Sequence, residues 1–155
     1  MLDIPSISAV VAAAGVLVGV TLAYLEVRTL VKARHTDLVV RLYSTMGSRE
    51  FQEAWDRFMK GEIKDLDDFE RKYSVEGYEI GIFFEGIGVL LHRKLIDIGL
   101  VDDLFSSPIK MTWEKMKPLA EATRKELNRP QMGEWFEYLY NEMQKREQRL
   151  QQIQQ

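Results

Sequence analysis

The apolar positions divide the chain into a short N-terminal part and a longer remainder. The first is an uncharged run from Ile4 to Leu25, bounded by Asp3 and Glu26. As a helix rising about 1.5 Å per residue it would be roughly 33 Å long, enough to cross a hydrocarbon core of about 30 Å. No other stretch combines that length with an absence of charge. The pattern predicts a transmembrane anchor over residues 1–27 and a helical domain over residues 28–155.

The flanks of the apolar run bear on its role and orientation. A cleaved signal peptide is the rival interpretation, but such peptides have a basic start and a shorter apolar core, and no Lys or Arg precedes this run. Basic residues follow it at Arg28, Lys32, Arg34 and Arg41. Because basic flanks stay in the cytoplasm, we expect a single-pass protein of the cell membrane, with its N-terminus outside and its domain cytoplasmic.

Helical periodicity continues beyond the span. No Pro or Gly occurs from Glu26 to Thr45, so the transmembrane helix is predicted to run on to about Gly47. Ser48 is placed to cap a second helix ending near Met59. No segment shows the alternation of a β-strand. The predicted fold is therefore all-α: a single N-terminal transmembrane helix that continues into a cytoplasmic multi-helix bundle.

The segment from Val75 to Gly99 is the most apolar of the remainder. A second membrane span is the alternative, but Glu79 and Glu85 would be costly in lipid. We expect a central core helix wrapped by the others. Pro108 is predicted to begin the next helix, which carries Trp113 and should kink at Pro118.

Composition limits the chemistry available to the chain. There are no cysteines, which excludes disulfides and thiolate metal sites. The net charge of −3 offers no field for gathering nucleic acid. We expect no cofactor and no nucleic-acid partner; the lipid bilayer is the predicted partner of the anchor.

Two rows that contain several small residues have helical spacing. In the anchor, Gly15 and Gly19 form a GxxxG motif that Ala23 extends, a pattern that allows two membrane helices to approach closely. It predicts self-association as a homo-oligomer, the alternative being a lipid-facing strip. The second row lies on the central helix and comprises Gly77, Gly81, Glu85, Gly88 and His92.

Glycine inside a helix costs roughly 1 kcal/mol per residue, so the second row predicts another helix packed at close range. Glu85 would then be partly buried and would need a partner. Among Arg41, Arg57 and Arg124, we expect Arg124 to form the ion pair.

The sequence supports metal binding or catalysis by Glu85 and His92 less well than it supports packing. Glu85 and His92 are roughly 10 Å apart along a helix, too far to hold one metal ion without further ligands, so no metal site is predicted. A hydrolase using Glu85, His92 and Glu114 in a cleft is the enzymatic alternative. No nucleophile elbow or phosphate-binding loop accompanies it.

A family resemblance rests on FFEGIGVLLHRKLID, LVDDLF, WEKMKPLAEATR and FEYLY. With Phe84, Glu85, Gly88, Trp113 and Arg124 as its most specific positions, the chain resembles the uncharacterised prokaryotic family catalogued as domain of unknown function 4760. The resemblance covers most of residues 20–145. It implies a single N-terminal span before a helical cytoplasmic domain, and it implies no activity.

These observations favour a membrane-tethered interaction or scaffold module with no catalysis of its own. It would act as an oligomer or as an accessory subunit that holds an unidentified protein partner at the membrane. A membrane-disrupting effector or defence component is the third alternative, beside the hydrolase.

Overall fold

The computed structural model describes residues 4–153, and within that range it contains six α-helices and no strand. The helices are α1 (Ile4–Met46), α2 (Arg49–Lys60), α3 (Leu66–Lys72), α4 (Ser74–His92), α5 (Ile98–Glu126) and α6 (Glu134–Ile153). The predicted all-α fold is confirmed.

Helix α1 is a single unbroken helix of 43 residues. Its segment Val11–Met46 is long and apolar enough to cross a membrane, judged by length and composition, and no side chain of its most apolar stretch is buried. The hydroxyls of Thr21 and Thr29 donate to the carbonyls one turn earlier, so these polar groups are satisfied within the helix itself.

The chain divides into two compact units, one ending at Asp37 and the other beginning at Leu38. The predicted boundary after residue 27 marks the end of the apolar run, and it stays a prediction. The second unit contains the last turns of α1 together with α2 to α6.

Side-chain caps define several helix starts in the second unit. The Ser48 hydroxyl accepts a hydrogen bond from the Phe51 amide at 3.2 Å, as its position before α2 predicts. The Asp65 carboxylate likewise accepts from the Asp68 amide at 2.8 Å. Each bond satisfies a backbone donor that the first turn of a helix leaves without a partner.

The core of the second unit surrounds α4, which packs most extensively against α6 and also contacts α2. Its largest fully buried side chains are Phe58, Ile80, Phe84, Ile87, Phe105, Ile109, Phe136, Leu139 and Met143. The rings of Phe84 and Phe136 stack at 4.8 Å between centroids, joining α4 to α6. The predicted central core helix is therefore present.

The predicted start of a helix at Pro108 is wrong. Helix α5 begins at Ile98, after an Asp97 side-chain cap, and passes through Pro108 and Pro118. Burial of Val101, Phe105 and Ile109 along one face holds the helix together despite the backbone hydrogen bond that Pro108 cannot donate. The predicted kink at Pro118 stays a prediction.

Candidate functional site: the junction of α4, α5 and α6

At Gly88 the backbone of α6 lies very close to α4. A Cβ atom added at Gly88 would lie 2.0 Å from the carbonyl oxygen of Trp135 and 2.6 Å from its carbonyl carbon. Both are backbone atoms, which cannot move aside as the end of a flexible side chain could. Only glycine leaves room here for the first turn of α6.

Glu85 lies one turn before Gly88 and caps α6 from outside. Its carboxylate accepts a hydrogen bond from the Trp135 amide at 3.0 Å. The amides of Glu134 and Glu137 donate instead to the carbonyls of Gln131 and Gly133. A carboxylate at a helix N-terminus is favourable because it meets both free amides and the positive end of the helix dipole.

Burial raises the pKa of the Glu85 carboxyl above its ordinary value. Hydrogen bonds from the amides of Trp135 and Phe136 oppose that rise, as does the positive charge of Arg124, whereas the negative charge of Glu134 adds to it. Desolvation dominates because the side chain is half-buried between two helices.

The predicted ion pair between Glu85 and Arg124 is not formed. Arg124 instead pairs with Glu137, with 2.7 Å between Nη2 and Oε2, and its Nε donates to the Met132 carbonyl at 2.7 Å. Glu85 does have a partner, but that partner is the backbone amide of Trp135. Arg124 acts on the same junction from the other side, by holding the segment that leads into α6.

The other two glycines in the row that contains Glu85 and Gly88 face different neighbours. At Gly77 an added Cβ would lie 2.4 Å from the Phe69 ring, and at Gly81 it would lie 3.1 Å from the terminal methyl group of Met116. The row therefore packs against α3 near its start, against α5 in the middle and against α6 at Gly88.

A half-open pocket of about 100 Å³ lies beside Glu85, between α4, α5 and α6. Its lining is almost wholly apolar. The residues around it are Phe69, Gly77, Tyr78, Gly81, Ile82, Glu85, Trp113, Met116, Leu119, Ala120, Thr123, Met132, Gly133 and Phe136. Ile82, which the apolar pattern of α4 would place in the core, is 71% exposed at its edge.

Trp113 is a buried part of the pocket lining. Its ring is 5.0 Å from that of Phe136 between centroids. Pro118, five residues further along α5, is exposed. The two residues therefore differ in role, since only Trp113 joins α5 to α6.

His92 belongs to an aromatic cluster at the end of α4. Its ring lies 4.6 Å from that of Trp135 and 5.4 Å from that of Tyr138. Neither His92 nor the exposed Glu114 lines the pocket beside Glu85, so the three residues of the hydrolase hypothesis do not share one cleft there. Within residues 4–153, no group of three or more His, Asp and Glu side chains could hold a metal ion.

Lys115 is a helix-capping position that the sequence alone did not reveal. Its Nζ donates to the carbonyls of Met59 and Gly61 at 2.8 and 2.6 Å, so it caps the C-terminus of α2 from α5. Burial lowers the pKa of this ammonium group. Its spacing along the chain gives no signal, because the carbonyls it meets lie more than fifty residues earlier.

Comparison with known proteins adds one match. A family model described as a domain of unknown function, DUF4760, matches residues 9–143. No curated protein and no solved structure shows a significant match.

Proposed function

This chain belongs to the DUF4760 family, and we propose that it is a membrane-tethered helical interaction module without catalysis of its own. The observation that carries the proposal is the exposure of apolar side chains along α1. Apolar side chains such as Val16, Leu17 and Leu22 are each more than 60% exposed along it. A helix exposing apolar groups all round finds a suitable solvent in lipid.

The proposed topology places the N-terminus outside the cell and the domain in the cytoplasm. Arg28, Lys32 and Arg34 follow the apolar run within two turns of one another. Basic residues beside a span favour the cytoplasmic side.

The proposed docking surface is the outer row of α4, which comprises Val75, Tyr78, Ile82 and Val89. Val75 and Ile82 are 75% and 71% exposed. The spacing of three, four and seven residues keeps the row on one face. Glu76 is paired with Arg57 and Glu85 accepts from the Trp135 amide, so Glu79 is the exposed carboxylate of α4 beside this row, and α4 contains no Lys or Arg. The row therefore suits a protein partner that presents apolar side chains with basic neighbours.

Site-specific crosslinking in native membranes tests this surface. A photoreactive amino acid at Ile82 should yield a discrete crosslinked species, whereas the same group at Glu121, which is exposed on α5, should not. Ile82→Asp should abolish crosslinking from a second photoreactive group placed at Gly86, which has open space around it. Equal products from Ile82 and Glu121 would contradict the proposed surface.

We also propose that the anchor self-associates through Gly15, Gly19 and Ala23. Added Cβ atoms at Gly15 and Gly19 would meet nothing within 4 Å in the single chain, so a second helix has room to approach. Gly15→Leu with Gly19→Leu should weaken dimerisation in a membrane reporter assay, while changes at Val16 and Val18 should not. Equal signals from the wild type and the double variant would mean that these small residues face lipid and not a second helix.

A further inference from the structure

Small residues form part of the wall of the pocket between α4, α5 and α6. Gly81 and Gly133 both line it, and Gly133 has a φ of +71°, which favours glycine over other residues. A Cβ at Gly133 would lie 3.5 Å from both Ala120 and Trp113, an ordinary contact distance. A Cβ at Gly81 would lie 3.1 Å from the flexible end of Met116. Both glycines therefore stand close to the opposite wall, and the free space is the pocket of about 100 Å³ itself.

Three features make this space suitable for a ligand. Leaving apolar volume unfilled is unfavourable, because the lining atoms lose dispersion contacts. Met116 and Met132 form part of the wall, and methionine side chains adapt readily to the shape of a bound group. The partly exposed Tyr78 and Ile82 stand at the edge, where a molecule can enter.

The charges around the pocket select against anions. Glu85 lines it, and the nearby negative charge of Glu134 acts on the same carboxyl. The positive charge of Arg124 is offset by its ion pair with Glu137. An anionic ligand would be desolvated by apolar walls and would also be repelled by the Glu85 carboxylate.

We propose that this pocket binds a small uncharged molecule with one aromatic ring or a branched aliphatic group. The apolar group would lie against Trp113 and Phe136, and any polar end would point past Ile82 toward solvent. The inference does not rest on the proposed membrane anchor, since every lining residue lies in the unit that begins at Leu38. Tyr78 and Ile82 belong both to the pocket edge and to the proposed docking surface.

Titration of the full chain in lipid nanodiscs with benzyl alcohol tests the site, with amide NMR signals of Gly81 and Gly133 as the readout. Both signals should shift and saturate. Benzoate, which has the same ring but a negative charge, should bind at least about tenfold more weakly, a difference of about 1.4 kcal/mol.

Two variants of α5 separate pocket binding from partition into lipid. Ala120→Leu fills the pocket and should weaken benzyl alcohol binding at least about tenfold. Ala122→Leu makes the same change two residues away, outside the pocket lining, and should bind like wild type. If Ala120→Leu fails to fold, Gly81→Ala adds a single methyl group to the pocket wall and should likewise weaken benzyl alcohol binding. Shifts that do not saturate, or that survive the filling change, would overturn the proposal.

Discussion

Gly88 shows how one missing side chain positions a helix. The backbone of Trp135 occupies the place of its absent Cβ, so α6 can start directly against α4. Gly86, two residues earlier, has nothing within 4 Å of its added Cβ and is exposed. The two glycines share a helix and differ only in what they face.

This contrast predicts opposite effects of the same substitution. Gly88→Ala should lower the free energy of unfolding by about 2 kcal/mol or more, because backbone must shift to admit the methyl group. Gly86→Ala should raise it by up to about 1 kcal/mol, since alanine favours a helix interior. Denaturant unfolding of the full chain, followed by tryptophan fluorescence, measures both. Similar values for the two variants would argue against close packing at Gly88.

Glu85 should give the domain a specific pH dependence. Its pKa is raised in the folded state, so the folded form holds the proton more tightly than the unfolded form does. This group therefore lowers stability as the pH rises through about 4.3, the ordinary value for glutamate, toward the raised folded value. Glu85→Gln keeps an acceptor for the Trp135 amide but removes the titration.

The free energy of unfolding of wild type and of Glu85→Gln, measured between about pH 4 and pH 7, checks this expectation. The wild type should lose stability relative to the variant as the pH rises. Parallel profiles would mean that burial does not perturb the carboxyl.

At this scale the sequence indicated that the Glu85 carboxylate needs a hydrogen-bonding or charged partner. It did not indicate which group that partner is. Glycine is costly in a helix, so a row of glycines around Glu85 indicates close packing. A partly buried carboxylate requires hydrogen-bond donors. From the sequence, the donor was predicted to be an arginine side chain. The amides of Trp135 and Phe136 satisfy the carboxylate instead, because every helix start offers unpaired N–H groups that no residue letter reveals.

At the scale of elements, charged side chains from the two long core helices satisfy the ends of their neighbours. Glu85 of α4 meets the N-terminus of α6, and Lys115 of α5 meets the C-terminus of α2. In each case the sign of the charge matches the helix dipole. The ends of α2 and α6 are thereby fixed to the two central helices.

Removing the Lys115 charge should therefore loosen α2. Lys115→Met retains an unbranched side chain but leaves the carbonyls of Met59 and Gly61 without their donor, at an expected loss of about 1 to 3 kcal/mol in the free energy of unfolding. Lys117→Met is the control, because Lys117 is exposed and should change stability by less than about 0.5 kcal/mol. Hydrogen exchange at the last turn of α2 should quicken only in the Lys115 variant. Unchanged exchange there would contradict the capping role.

Helix α5 shows where local signals yield to packing. Pro108 has the features of a helix start, and Ser106 and Ser107 before it strengthen that interpretation. The buried face of Val101, Phe105 and Ile109 crosses the proline without interruption. The helix therefore continues, because tertiary burial outweighs a single lost backbone bond.

At the scale of the whole molecule, the chain contains residues suited to two solvents. From Val11 to Leu25 the side chains are exposed although most are apolar, whereas from Leu38 onward the apolar residues build a core of their own. Length and the absence of charge predicted a helix long and apolar enough to cross a membrane, and α1 has both properties. Charge asymmetry predicts an orientation for that helix.

Cysteine labelling of intact cells tests the membrane-tethered account most directly, and the absence of natural cysteines makes each introduced one a unique reporter. A membrane-impermeant maleimide should label Asp3→Cys from outside. It should label Gln148→Cys, an exposed position on α6, only after the membrane is permeabilised, and alkaline carbonate should release neither variant from the membrane fraction. Labelling of Gln148→Cys in intact cells would reverse the topology, and release by carbonate would contradict the anchor itself.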